Sequence, residues 1–99
     1  MTTVIATLKV QAGHEAAFEQ AAQEMIAYVR ANEPGTVTYV CNRSIAEPNE
    51  YVFYEVYADD AALATHSGSA QMMTFFGAVG SLLEGRAVIK MYQDIGGKR

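Results

Sequence analysis

Charge is scarce in this chain. Only 18% of its 99 residues are charged, against roughly 25% in an ordinary soluble domain. Cys41 is the single cysteine, so no internal disulfide can form. Lys and Arg never run beyond the terminal Lys98-Arg99, and the net charge is −4. The basic face that a nucleic-acid site needs is therefore not expected. No apolar stretch approaches the roughly 18–20 residues that span a bilayer. The opening MTTVIATLKV has neither the basic start nor the long apolar run of a signal peptide. Together these absences argue against nucleic-acid and membrane partners and fit a cytoplasmic location. His14 and His66 stand far apart, with no His-x-x-x-His or Cys-x-x-Cys spacing, so no metal site is expected. There is no glycine-rich phosphate loop and no Ser-His-Asp pattern, so no nucleotide or other cofactor is implied.

What the chain does have is apolar surface: 51% of its residues are hydrophobic. A chain this short makes one domain, residues 1–99, and buries only about 60–70% of its unfolded surface. The remainder implies burial against a second subunit. Residues 3–10 are rich in β-branched residues and read as a strand. Helical spacing follows, with Phe18, Ala22, Met25 and Val29 on one stripe, until Pro34 and Gly35 stop it. Residues 36–44 and 51–58 read as two strands joined across Pro48-Asn49. Asp59 or Asp60 caps a short helix carrying His66. Ser69 caps a second segment, residues 69–85, whose apolar face holds Met72, Phe75, Phe76, Val79 and Leu82 or Leu83. Residues 86–95 read as a last strand, and 96–99 as a flexible tail.

The order β-α-β-β-α-β predicts the ferredoxin-like α+β arrangement, a four-stranded antiparallel sheet with helices on one face. The other face would be polar in a monomer. Instead, the third strand puts Tyr51, Phe53, Glu55 and Tyr57 on one side and Val52, Tyr54 and Val56 on the other. The fourth puts Ala87, Ile89 and Met91 opposite Val88 and Tyr92. Two apolar faces predict a homodimer joined through its sheets.

Two polar residues are out of place in this apolar context. Glu55 lies mid-strand, where an unpaired carboxylate is costly; it is either a structural partner or an acid or base with a raised pKa. His66 either satisfies a neighbouring carbonyl or moves a proton near neutral pH. Tyr39 and Tyr92 are strand tyrosines able to reach a ligand, and Met72 and Phe75 suit a flexible apolar wall. Cys41 reads as a small buried hydrophobe and His14 as solvated.

The stretches NEPGTVTYVCNR and YVFYEVYADDAALATHSGSAQMMTFF resemble the antibiotic biosynthesis monooxygenase (ABM) family. The likeness spans nearly the whole chain, and its specificity lies in the order and spacing of the pieces. It implies a dimeric α+β barrel with a pocket between sheet and helices. It also implies a cofactor-independent oxygenase acting on a small aromatic or quinol-type substrate, with Glu55 and His66 catalytic and Tyr39 beside them. Alternatives on the same scaffold are an isomerase, a signal-molecule-processing enzyme, or a non-catalytic small-molecule-binding or stress-associated protein. The haem-degrading branch differs from this chain at Ala6, Tyr57 and Phe76, so haem degradation is not expected. The pocket tryptophan of some family monooxygenases is also missing, since the chain has no tryptophan.

Overall fold

The structure, a computed structural model, describes residues 1–99. β-Branched residues dominate β1 (Thr2–Lys9), which lies in the interior of the sheet between β3 (Glu50–Tyr57) and β4 (Val88–Gln93). β2 (Thr36–Arg43) pairs with β3 on the far side, giving the order β2-β3-β1-β4 with every neighbour antiparallel. This is the ferredoxin-like α+β fold expected from the element order. The helices are α1 (Glu15–Asn32), α2 (Asp60–Ser67) and α3 (Ala70–Val79). None is long and apolar enough to cross a membrane.

Both short helices start where side-chain caps were expected. Asp59 accepts a hydrogen bond from the Ala62 amide at 2.8 Å, and Ser69 accepts one from the Met72 amide at 3.1 Å; each satisfies an orphan N–H of a first turn. The segment after Ser69 is shorter than expected. Helix α3 ends at Val79 and continues as one 3₁₀ turn, Gly80–Leu82. β4 begins two residues later than expected because Gly85, with φ +80°, turns the chain just before it.

Phe18, Ala22, Met25 and Val29 form the buried stripe of α1, as the spacing implied. They pack on Ala6 and Leu8 of β1, Tyr51 and Phe53 of β3, and Phe75 and Val79 of α3. This cluster lies wholly on the helix side of the sheet. On the opposite side no helix covers the strands, and Val40, Tyr54, Val88 and Tyr92 are each about half exposed.

The α1–β2 junction fixes how α2 sits. Glu33-Pro34-Gly35-Thr36 is a tight turn closed by the Thr36 amide on the Glu33 carbonyl at 3.1 Å, with proline at its favoured second position. The Gly35 carbonyl then accepts from the Ala58 amide at 2.9 Å. A Cβ on Gly35 would stand 2.6 Å from the Ala62 Cβ of α2. Gly35→Ala is therefore expected to push α2 outward and cost about 1–3 kcal/mol, the usual range for overpacking. A denaturant midpoint equal to wild type would show that α2 moves freely.

Candidate active site

Every strand and helix of this layer except α1 contributes to one cavity. It has a volume of about 290 Å³, and its lining includes Val4, Ala6, Tyr39, Phe53, Glu55, Leu63, His66, Ser67, Met72, Phe75, Phe76, Ile89 and Met91. Eleven of its fourteen lining residues are hydrophobic, so its few polar groups must decide what it does. Period-two alternation sends Phe53 and Glu55 of β3 toward the helices. The Asp59 cap sets the start of α2, and His66 falls in its last turn, where a helix C-terminus favours a cation.

His66 is 2% exposed, Glu55 5% and Glu33 5%. His66 Nδ1 lies 2.8 Å from Glu33 Oε1. The Thr36 hydroxyl donates to the same oxygen at 2.9 Å. A carboxylate can only accept, so the imidazole donates from Nδ1 and its neutral form keeps the Nε2 lone pair free. Nε2 is buried without a hydrogen-bond partner. Its nearest charged neighbour is Glu55 Oε1 at 3.9 Å, beyond hydrogen-bond range. That Glu55 oxygen is held instead by the Tyr57 hydroxyl, which donates to it at 2.5 Å. The rings of Tyr39 and Tyr57 flank the imidazole, with centroids 5.1 and 5.4 Å away.

Burial dominates the electrostatics. It pushes the Glu55 carboxyl above its ordinary value of 4.5, opposed by the Tyr57 hydrogen bond and by His66, and reinforced by Glu33. Burial also drives the Tyr39 and Tyr57 hydroxyls well above their usual range, helped by the Glu55 charge. Both phenols therefore stay protonated donors at neutral pH. The Cys41 thiol is pushed up to about 11, chiefly by burial and then by Glu19. It stays protonated, which makes it a poor nucleophile.

The raised Glu55 pKa has a measurable consequence. A carboxyl that holds its proton more tightly folded than unfolded stabilises the fold fully below its unfolded pKa. That stability is lost as pH rises through the folded pKa. Glu55→Gln keeps an acceptor for Tyr57 without a titrating group. The melting temperature of Glu55→Gln relative to wild type should therefore climb as pH rises from about 4.5. A constant difference across that range would mean Glu55 ionises in the fold as easily as in water.

Of the residues expected from sequence to form the site, Tyr39, Glu55, His66, Met72 and Phe75 all line the cavity. Tyr92 does not. It pairs with Thr3, one register position from Met91, and so points to the open face while Ile89 and Met91 point into the cavity. Glu33 was not expected there, because in sequence it is only part of a helix-stopping turn. Its one local signal is electrostatic: a carboxylate at the C-terminal end of a helix opposes the dipole, and here a buried imidazole compensates it.

Fold and site together define a small ferredoxin-like α+β protein with an apolar cavity beside a buried histidine–carboxylate pair. The family model for antibiotic biosynthesis monooxygenase matches residues 1–78, and the chain belongs to that family. A solved structure from Caulobacter crescentus CB15 bearing the same family description is 36% identical, with a TM-score of 0.92 over 96% of this chain and 90% of that one. One from Nitrosomonas europaea is 23% identical, with a TM-score of 0.89 over 97% and 100%. One from Deinococcus radiodurans is 20% identical, with a TM-score of 0.90 over 100% and 97%. No curated protein matches the chain in sequence.

Proposed function

We propose that this protein is a cytoplasmic, cofactor-independent monooxygenase that oxidises a small phenol or quinol in the cavity between sheet and helices. One observation carries the reading. A buried imidazole is engaged on Nδ1 by Glu33, and its unpartnered Nε2 stands beside an apolar chamber. Family membership supplies the reaction class.

The chemistry needs little beyond this. Dioxygen reacts slowly with closed-shell organic molecules, whereas a phenolate is electron-rich enough to donate an electron to it. His66 Nε2 takes the hydroxyl proton of the substrate, and Glu33 stabilises the imidazolium. The substrate anion passes one electron to dioxygen, and the two radicals combine into a carbon-bound peroxide. That peroxide takes a proton back from His66. It loses water, leaving a carbonyl on the carbon that bore both the peroxide and a hydrogen. One oxygen atom ends in product and the other in water. The protonated Tyr39 hydroxyl is a donor available to the developing oxyanion, and the mostly hydrophobic lining lowers the polarity around it.

Oxygen uptake with a panel of phenols and hydroquinones tests this directly. Uptake with stoichiometric quinone formation is expected. Proton exchange into a bound substrate without oxygen uptake would instead favour an isomerase using the same base.

We also infer a homodimer through the open sheet face. Half-exposed Val40, Tyr54, Val88 and Tyr92 on one uncovered face are the kind of apolar patch that marks an interface. Light scattering after size exclusion should give twice the 10.7 kDa chain mass; a monomer at micromolar concentration would remove the dimer.

A further inference from the structure

Two groups able to accept or share a proton stand side by side in the chamber. His66 Nε2 and Glu55 Oε1 are 3.9 Å apart. That gap is too wide for a bond between them and the right width for one ligand to touch both. Nε2 is unpartnered. Glu55 is anchored by the Tyr57 hydroxyl, so it cannot swing toward the imidazole without breaking that bond. No Lys or Arg lines the chamber, and Glu33 lies just behind His66.

We propose that the chamber selects uncharged ligands bearing two hydroxyls on adjacent carbons, ortho-dihydroxyarenes or enediols, over their para isomers, singly hydroxylated analogues and anionic derivatives. This rests on the reading above only in taking the cavity as the ligand site; it does not require that oxygen be consumed. Adjacent hydroxyl oxygens sit about 2.7 Å apart, so each reaches one end of the 3.9 Å gap with a hydrogen bond of ordinary length. One hydroxyl donates to Nε2. The other meets the Glu55 carboxyl, donating to it when ionised and accepting from it when protonated. With Glu55 protonated, the second hydroxyl keeps its own proton free and donates it to the oxyanion formed when Nε2 removes the first. The result is a hydrogen-bonded chain from Tyr57 through Glu55 to the ligand, in which each bond strengthens the next.

Para hydroxyls leave opposite ends of the ring. Only one can reach the pair, so a para isomer gains one hydrogen bond there where an ortho isomer gains two. An added carboxylate or phosphate would stand near Glu55, with Glu33 behind the imidazole and no Lys or Arg in the lining to offset it.

Anaerobic NMR titration with catechol, hydroquinone, phenol and a ring-carboxylated catechol tests the rule without turnover. Catechol should bind about tenfold more tightly than each of the others. In Glu55→Leu, catechol should fall to the affinity of phenol while phenol itself is little changed. Should that variant not fold, the wild-type series decides alone. Equal affinities for catechol and hydroquinone, or no detectable binding of any of them at millimolar concentration, would overturn the proposal. Selective catechol binding without oxygen uptake would leave it standing while removing the monooxygenase reading.

Discussion

Turnover of a phenolic substrate is expected to fall about 10²-fold or more when His66 is replaced, because general-base assistance is worth about 10²–10⁴-fold. Alanine is the blunt form of the experiment. It removes the base, but it also leaves the Glu33 carboxylate buried with only Thr36 as a side-chain donor. Glutamine is the sharper one. Its amide can still donate toward Glu33, yet it has no nitrogen able to take a proton. His66→Gln should therefore keep its circular dichroism spectrum and much of its stability while losing turnover. Wild-type oxygen uptake by a folded His66→Gln protein would eliminate the imidazole as the base.

The largest stability effect is expected at Glu33. Its carboxylate binds both the imidazole at 2.8 Å and the Thr36 hydroxyl at 2.9 Å, and all but 5% of the residue is buried. Glu33→Ala strips the partner from a buried His66 N–H and from Thr36 in one step. Breaking a buried pair in this way costs about 3–5 kcal/mol. For a domain of this size each kcal/mol is worth roughly 4–8 °C in Tm, so the melting temperature should drop by well over 10 °C. Glu33→Gln keeps an oxygen for both donors and should recover most of that loss. It still removes the charge that stabilises the imidazolium, so its turnover should stay depressed while its stability recovers. If Glu33→Gln were fully active, Glu33 would be a structural anchor and no part of the proton transfer.

The fold was legible because two periodicities alternate cleanly along the chain. The α1 stripe Phe18, Ala22, Met25 and Val29 can be read from spacing alone, and so can the side of β3 that carries Glu55. His66 and Glu55 stood out because each is a polar residue set among apolar ones. Glu33 did not, because its burial comes from tertiary packing. Pro34 and Gly35 make its neighbourhood look like an exposed turn, and only the approach of α2 across Gly35 brings the imidazole onto it. Tyr92 was drawn to the cavity by its residue type, although its parity relative to Ile89 and Met91 already placed it on the other face. In a strand the odd–even position outweighs chemical suitability, since a one-residue step reverses the side chain's direction.

β1 precedes the other three strands of this sheet in the chain, yet it lies inside the sheet, paired on one side with β4, the strand farthest from it in sequence. As the chain emerges from a ribosome, Glu33, Glu55 and His66 can already be assembled while β1 still presents a bare edge. Ile89 and Met91, which line the chamber on that side, are made after all three. A chain lacking Val88–Gln93 would thus hold its acid–base machinery beside a hollow without that wall and beside an unpaired strand. It would be prone to self-association along that bare edge.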